Sequence, residues 1–433
     1  MIKRFSFPST FEIALLLSLI VFLFALVLTK PEGLPHLSYG YSVLGFWKSG
    51  FWDLLEFTMQ MVLILVLGHT LALSAPIDKG LRKISALIKN NTHAVLLTGT
   101  MAMAGGYLNW GFGLVLGAIL ARKIGEFAQE NNIQINYYLV GASGYLGMLV
   151  WHGGLSGSAT LKVAEQGHFL QESMGVIPIN QTVFSAFNLY VNLFLIILLL
   201  IVLYLLSLKK FDKNQVSLGK SGSSTHSKSK EKIGWILGLV MILVICGELF
   251  FSGDQIWASV DLNFVNFTLL ALGLLFYGSL SDYVQSLSFA VKGATDIIIQ
   301  FPFYAGILGM MKYSGLLVLL ADDMVARSGT ATFPLLSFAS AAIVNFFVPS
   351  GGGQWAIQGP VMMEAAQKMG IDLPKMVMTF AYGDQLSNML QPFWALPLLS
   401  ITGIPAKEIF KYTAYFFLAA TVVFGLSILI WLA

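Results

Sequence analysis

Long apolar stretches alternate with short polar connections along this chain. Runs without a polar face recur at 11–29, 51–74, 136–152, 181–208, 233–251, 264–280, 294–317, 376–400 and 411–432. A helix needs about 20 residues to cross a hydrocarbon core of roughly 30 Å, so each run is read as a membrane-spanning helix. Two further apolar pairs, 93–108 with 110–121 and 333–349 with 355–365, are each broken by a polar, glycine-rich tip. These are read as helical hairpins that return to the side they left. The run at 11–29 carries Glu12 at its start and lacks a small-x-small cleavage site. It is therefore read as an uncleaved first helix and not as a secretory signal.

Composition turns this pattern into a fold class. Of 433 residues, 56% are apolar and 11% charged, against about 45–50% and about 25% in soluble domains. So few charges cannot cover a water-facing surface of this size, and the solvent for most of it must be the lipid bilayer. The expectation is an all-α polytopic membrane protein. The single cysteine, Cys246, permits no intrachain disulfide. No basic stripe with interleaved aromatics points to nucleic acid.

Charge then gives orientation, because Lys and Arg collect in cytoplasmic segments. With the N-terminus inside and each hairpin returning, Lys and Arg number 18 inside and 6 outside. The C-terminus then lies outside, in the periplasm of a bacterial inner membrane. The Lys/Ser-rich stretch 209–232 reads as a solvated cytoplasmic linker between a first repeat, 1–208, and a second, 233–433. The two halves share an order of features. Trp110–Gly125 aligns without gaps to Trp355–Gly370. Asp53 and Asp296 each open an apolar helix 57 and 59 residues before the paired Trp, and Gly141 and Gly383 each open an interruption 31 and 28 residues after it. Between the helices at 51–74 and 294–317 the chain crosses five times if the first hairpin is re-entrant, seven times if both arms span. Either number is odd, so the second repeat is inverted. The helix at 233–251 is the extra piece. Inverted repeats with discontinuous helices describe alternating-access transporters with a midplane substrate site.

Four interruptions carry nearly all the polarity at membrane depth: Asn109-Trp110-Gly111; Gly141 to Gly154, with Ser143 and His152; Ser350-Gly351-Gly352-Gly353-Gln354-Trp355; and Gly383 to Pro392, with Asp384, Gln385, Ser387 and Asn388. Such backbone is tolerated in lipid only where it is buried in protein or lines a cavity. Freed N–H groups at a helix N-terminus can hold an anion without a cationic side chain. Asn109, Trp110, Ser143, Ser350, Gly351–Gly353, Gln354, Trp355, Gln385, Ser387 and Asn388 are thus candidate substrate contacts. A carboxylate near mid-membrane is expensive and a functional candidate by default, which singles out Asp384. It could carry a coupled proton, or ligate sodium together with Ser387 and Asn388. A lone carboxylate in aromatic surroundings favours the proton. His152 is the second coupling candidate. Asp53, Asp296 and Glu56 read as first-turn residues that complement a helix dipole.

No Arg lies in any expected span, and Lys312 sits near an outer end. A dicarboxylate or phosphate would want an Arg clamp or paired cations. The expected ligand is one carboxylate on a short apolar tail, entering with a cation. No metal cluster, no G-x-S-x-G and no paired acid–base motif argues for an enzyme.

The runs Pro349–Ala366 (PSGGGQWAIQGPVMMEAA), Ala381–Pro397 (AYGDQLSNMLQPFWALP) and Asn109–Arg122 (NWGFGLVLGAILAR) together resemble the short-chain fatty acid transporter family of the ion-transporter superfamily. The likeness extends over essentially the whole chain. It implies a carrier that takes up butyrate and acetoacetate by cation-coupled symport, with two re-entrant hairpins and an elevator-like motion. No cofactor is implied; the coupling ion is H+ or Na+, and a homodimer is the candidate assembly. A carrier of another organic anion and a sodium/proton antiporter stand as alternatives.

Overall fold

A computed structural model describes residues 8–211, 231–251 and 262–432. Most of the expected linker 209–232 lies outside the described residues. The described chain is all helical. The first half contains α1 (Thr10–Leu28), α2 (His36–Asp53), α3 (Leu55–Leu73) and α4 (Ala75–Ser85). A hairpin of α5 (Asn91–Leu108) and α6 (Trp110–Glu130) follows, then short α7 (Tyr137–Ser143), α8 (Ser158–Lys162) and α9 (Gln171–Met174), and α10 (Ala186–Ser207). The second half begins with α11 (Ile233–Phe251), α12 (Leu262–Tyr277), α13 (Leu280–Ala290), α14 (Thr295–Tyr313) and α15 (Leu316–Ala326). Its hairpin is α16 (Phe333–Phe347) with α17 (Gly351–Lys368). The chain ends in α18 (Leu373–Ser387), α19 (Pro392–Thr402) and α20 (Ala406–Leu432).

Five helices, α1, α3, α10, α11 and α20, are long and apolar enough to cross a membrane. At 1.5 Å per residue a helix of this length reaches about 30 Å, and outward-facing residues such as Leu19, Phe194, Leu243 and Ile430 stay exposed, as lipid-facing residues do. The chain is a multi-pass membrane protein.

Two packing groups organise these helices. One holds α1, α2 and α14 beside α3, α12 and α13, and it packs reciprocally: α1 lies on α14 of the other half, and α12 lies on α3. Its tightest joint is the α2–α14 crossing, where a Cβ added at Gly309 would meet the Gly50 Cα at 2.4 Å and the Phe46 carbonyl at 2.7 Å. Backbone on both sides leaves nothing soft to yield. Gly309→Val should therefore cost about 3 kcal/mol by overpacking. Thermal unfolding of the detergent-solubilised protein should show a clear loss, whereas Gly247→Ala, with nothing within 4 Å, should not. The other group gathers both hairpins and both interrupted helices, with α10 and α20 against them.

Several local expectations change. Residues 30–50, left by the pattern as a connection, contain most of α2, whose mixed polarity hides it from a hydropathy reading. Asp53 ends α2 and does not open the next helix; it accepts a hydrogen bond from the Tyr313 hydroxyl at 2.6 Å. Asp296 and Glu56 do sit in first turns. The run 136–152 is no single span: α7 stops at Ser143, a 3-10 turn covers Leu146–Leu149, and the chain stays buried but irregular past His152. The second interruption is shorter, with α18 giving way to a 3-10 turn at Asn388–Leu390 before α19 restarts at Pro392.

Candidate functional site

Each hairpin tip is built by a side-chain cap. Asn109 has an extended backbone and its Oδ1 accepts the Phe112 N–H, while Ser350 Oγ accepts the Gly353 N–H at 3.1 Å. Asn and Ser are favoured at this position because a short oxygen can replace a missing helical acceptor. The SGGG run is thus the capped first turn of α17, not a loose loop. Its first two amides, Gly351 and Gly352, point out of the helix start as orphan donors. In α6 the first amide, from Trp110, is already taken by Ser156 Oγ at 2.9 Å.

Gly351 sits directly over the chemistry. A Cβ there would lie 2.9 Å from Trp151 Cη2, 3.0 Å from Asp384 Oδ2 and 3.1 Å from His152 Cε1. The two residues below it form a pair, with His152 Nδ1 3.0 Å from Asp384 Oδ2 and side chains 0% and 1% exposed. The contact is close but off the line of an aligned hydrogen bond, and neither atom has another partner. The other ring nitrogen, Nε2, accepts the Ala159 N–H at 3.1 Å. A backbone N–H can only donate, so Nε2 carries the lone pair and the ring proton belongs on Nδ1, facing the carboxylate. Trp151 stacks on the imidazole at 4.3 Å, and Phe380 meets it edge-on. The His152 N–H donates to Gln385 Oε1 at 3.0 Å, and the Tyr145 hydroxyl donates to the Asn388 carbonyl at 2.9 Å. These two bonds tie the interruption of one half to that of the other.

A second polar centre lies one turn away. Three oxygens, the Asp384 carbonyl, Ser387 Oγ and Asn388 Oδ1, surround Asn345 Nδ2 at 2.7, 2.9 and 2.8 Å and share its two hydrogens. Ser387 and Asn388, expected beside the Asp384 carboxylate, both contact Asn345 here. Asp384 Oδ2 faces His152, and the Asp384 carbonyl shares the centre on Asn345.

The remaining candidates divide. Gln385 Nε2 and Asn388 Nδ2 are buried donors without a partner, as is the Trp151 indole N–H. Trp110 lies within 6.1 Å of Trp151 and 5.1 Å of Trp394 in an aromatic wall that Phe57 continues. Gln354 is turned into the hairpin, donating to the Ala341 carbonyl and Gln358 Oε1 at 2.9 Å. Trp355 packs on Phe380 at 4.9 Å, away from the pair. Ser143 donates back to the Val140 carbonyl of its own helix.

Two residues of this machinery escape the reading by motif. Asn345 is one. The other is Asn188 of α10, whose Nδ2 donates to the Gly153 and Val183 carbonyls and whose Oδ1 accepts from Asn192 and the Tyr382 hydroxyl. Both are neutral amides inside apolar runs. The reasoning that marks a buried carboxylate applies to them too, since buried amides demand partners.

The model of a family described as short chain fatty acid transporter matches residues 1–431. A relative from Escherichia coli (strain K12), named as a candidate short-chain fatty acid transporter, is 36% identical over 437 residues, covering 97% of this chain and 96% of its own. One from Haemophilus influenzae with the same name is 34% identical, covering 98% and 96%. Among solved structures, the YdaH transporter of Alcanivorax borkumensis aligns with a TM-score of 0.44 at 13% identity, covering 98% of both chains. Neisseria gonorrhoeae MtrF, described with a class of antimetabolite efflux pumps, aligns with a TM-score of 0.41 at 14% identity, covering 97% of this chain and 95% of its own. Whole-chain coverage by the family model, with relatives above one-third identity, establishes that this chain belongs to the short-chain fatty acid transporter family.

Proposed function

We propose that the protein is a secondary active carrier that imports short-chain monocarboxylates such as butyrate and acetoacetate by proton symport across a bacterial inner membrane. The observation that carries this reading is the buried Asp384–His152 pair beneath the glycine tip of α17. A carboxylate substrate at the orphan amides of Gly351 and Gly352 would sit beside that pair, with the indole N–H of Trp151 and the amides of Gln385 and Asn388 as further donors. The aromatic wall of Trp110, Trp151, Trp394 and Phe57 would take a short apolar tail. Lys123 is the one ammonium buried among the described residues, and it pairs with Asp78, on α4. That leaves the site without the cations a dicarboxylate would require.

A bare carboxylate pays a large desolvation cost in this setting, and taking up a proton removes the charge. Sodium is supported less well, because Asn345 Nδ2 already fills the centre of the three-oxygen set. The reciprocal packing of the halves agrees with inverted repeats, 1–208 and 233–433, and the gathering of both hairpins with both interrupted helices suits an elevator-like motion, with α6 against α3 and α19 against α14 as the sliding contacts. The orientation follows from the charge bias, N-terminus cytoplasmic and C-terminus periplasmic. The test is uptake of labelled acids into proteoliposomes, with pH and sodium gradients imposed one at a time and protein-free vesicles subtracted. Butyrate should enter faster than a dicarboxylate and respond to acid outside. Uptake indifferent to both gradients would remove the reading.

A further inference from the structure

We infer that the carrier takes up one proton per monocarboxylate, on the Asp384 carboxylate, so that a full cycle moves no net charge across the membrane. The inference rests on the proton-coupled reading above and adds its stoichiometry.

The count begins with the pair. His152 Nε2 faces the Ala159 N–H, so a proton placed there would set donor against donor in a buried site. Nδ1 already holds the ring proton. With Nε2 committed to the Ala159 N–H and the ring proton on Nδ1, the Asp384 carboxylate is the part of the pair whose geometry leaves room for a further proton. The groups around the pair are Gly351 of α17, the Trp151 indole, Phe380 and the Gln385 amide, none of which titrates in the physiological range. Asp384 is also the one Asp or Glu that is buried among the described residues.

The other half supplies no second locus. The stretch 137–157, which faces the site from the first half, contains no Asp or Glu at all. This holds whatever register relates the two interruptions. Its buried hydroxyls are spent: Tyr137 donates to the Thr402 carbonyl, Ser143 to the Val140 carbonyl and Tyr145 to the Asn388 carbonyl. Even the first amide of the matching hairpin helix, that of Trp110, is occupied by Ser156, where Gly351 is not. The three-oxygen centre is filled by Asn345. The halves share an architecture, yet the capacity for both anion and cation lies with the second.

Charge balance then follows. The monocarboxylate carries one negative charge and its proton one positive charge. Asp384 and the substrate together change by zero between the outward and inward release of the pair of ligands, and the empty carrier returns with the charge it had before loading.

The experiment uses the wild-type protein in liposomes. A potassium gradient with valinomycin sets an inside-negative potential at equal pH and sodium, and labelled acetoacetate is followed against protein-free vesicles. Each net positive charge moved per cycle would turn a potential of 100 mV into about a 50-fold accumulation ratio. The expected result is a ratio that stays at one, while acid outside drives accumulation and an internal pH dye reports one proton per acid. Accumulation driven by potential as well as by pH, or two protons per acid, overturns the stoichiometry and leaves proton-coupled uptake standing. Uptake that responds to sodium and not to pH, or to neither, overturns both.

Discussion

Asp384→Asn should uncouple the carrier: exchange of labelled for unlabelled butyrate persists, and accumulation under a pH gradient disappears. Asparagine has the shape of the protonated acid and cannot release a proton. In the wild type, one coupled proton supports about a tenfold accumulation for each unit of pH difference. In the variant the initial rate of gradient-driven uptake should fall to that of protein-free vesicles. The neighbours are expected to tolerate the change, since Oδ2 makes one close contact, to His152 Nδ1, and the Asp384 carbonyl that Asn345 uses is retained. Both activities are measured in the same vesicles. A variant that still concentrates butyrate under acid outside would move the coupling site away from Asp384, with His152 next to be tested.

The second large effect is expected at the glycine tip, and it separates two adjacent residues. A side chain at Gly351 must push on Trp151, Asp384 and His152 at once. Displacing such a site by about 1 Å can cost on the order of 100-fold in rate, and Gly351→Val should lower uptake by at least that much. Gly352 is different: the nearest atom to an added Cβ is Ser158 Cβ at 3.8 Å. Gly352→Ala keeps its N–H and has room, so most of the uptake should survive. Comparing uptake per folded molecule by size-exclusion yield distinguishes lost function from lost protein. Equal losses at both positions would mean that the run is needed for helix packing and not for its place over the pair.

The same contrast shows how far a linear sequence reaches. The run of three glycines is visible as an anomaly in an apolar chain, because lipid penalises exposed backbone wherever it occurs. Which glycine is crowded depends on what Trp151 and His152 do some 200 residues earlier, and no local pattern encodes that.

Hydropathy alone determined that this chain lives in a membrane and is helical, since burying peptide groups in lipid without internal hydrogen bonds is prohibitive. It also located both hairpins, because a polar tip between apolar arms has one sensible conformation. Asp384 stood out for the same reason, as a charge where charge is costly. α2 stayed hidden because Ser38, Ser42, Lys48 and Ser49 dilute its hydropathy, while its place in the fold is set by one narrow contact, Gly50 against Gly309 of α14. The pairing of Asp384 with His152, the tautomer fixed by Ala159, and the three oxygens gathered by Asn345 were decided by tertiary structure. Each joins atoms from different segments, and hydrogen bonds between distant residues leave no periodicity in the chain. The family's whole-chain match says what kind of carrier this is, while the meeting of Gly351, His152 and Asp384 exists only in the folded chain.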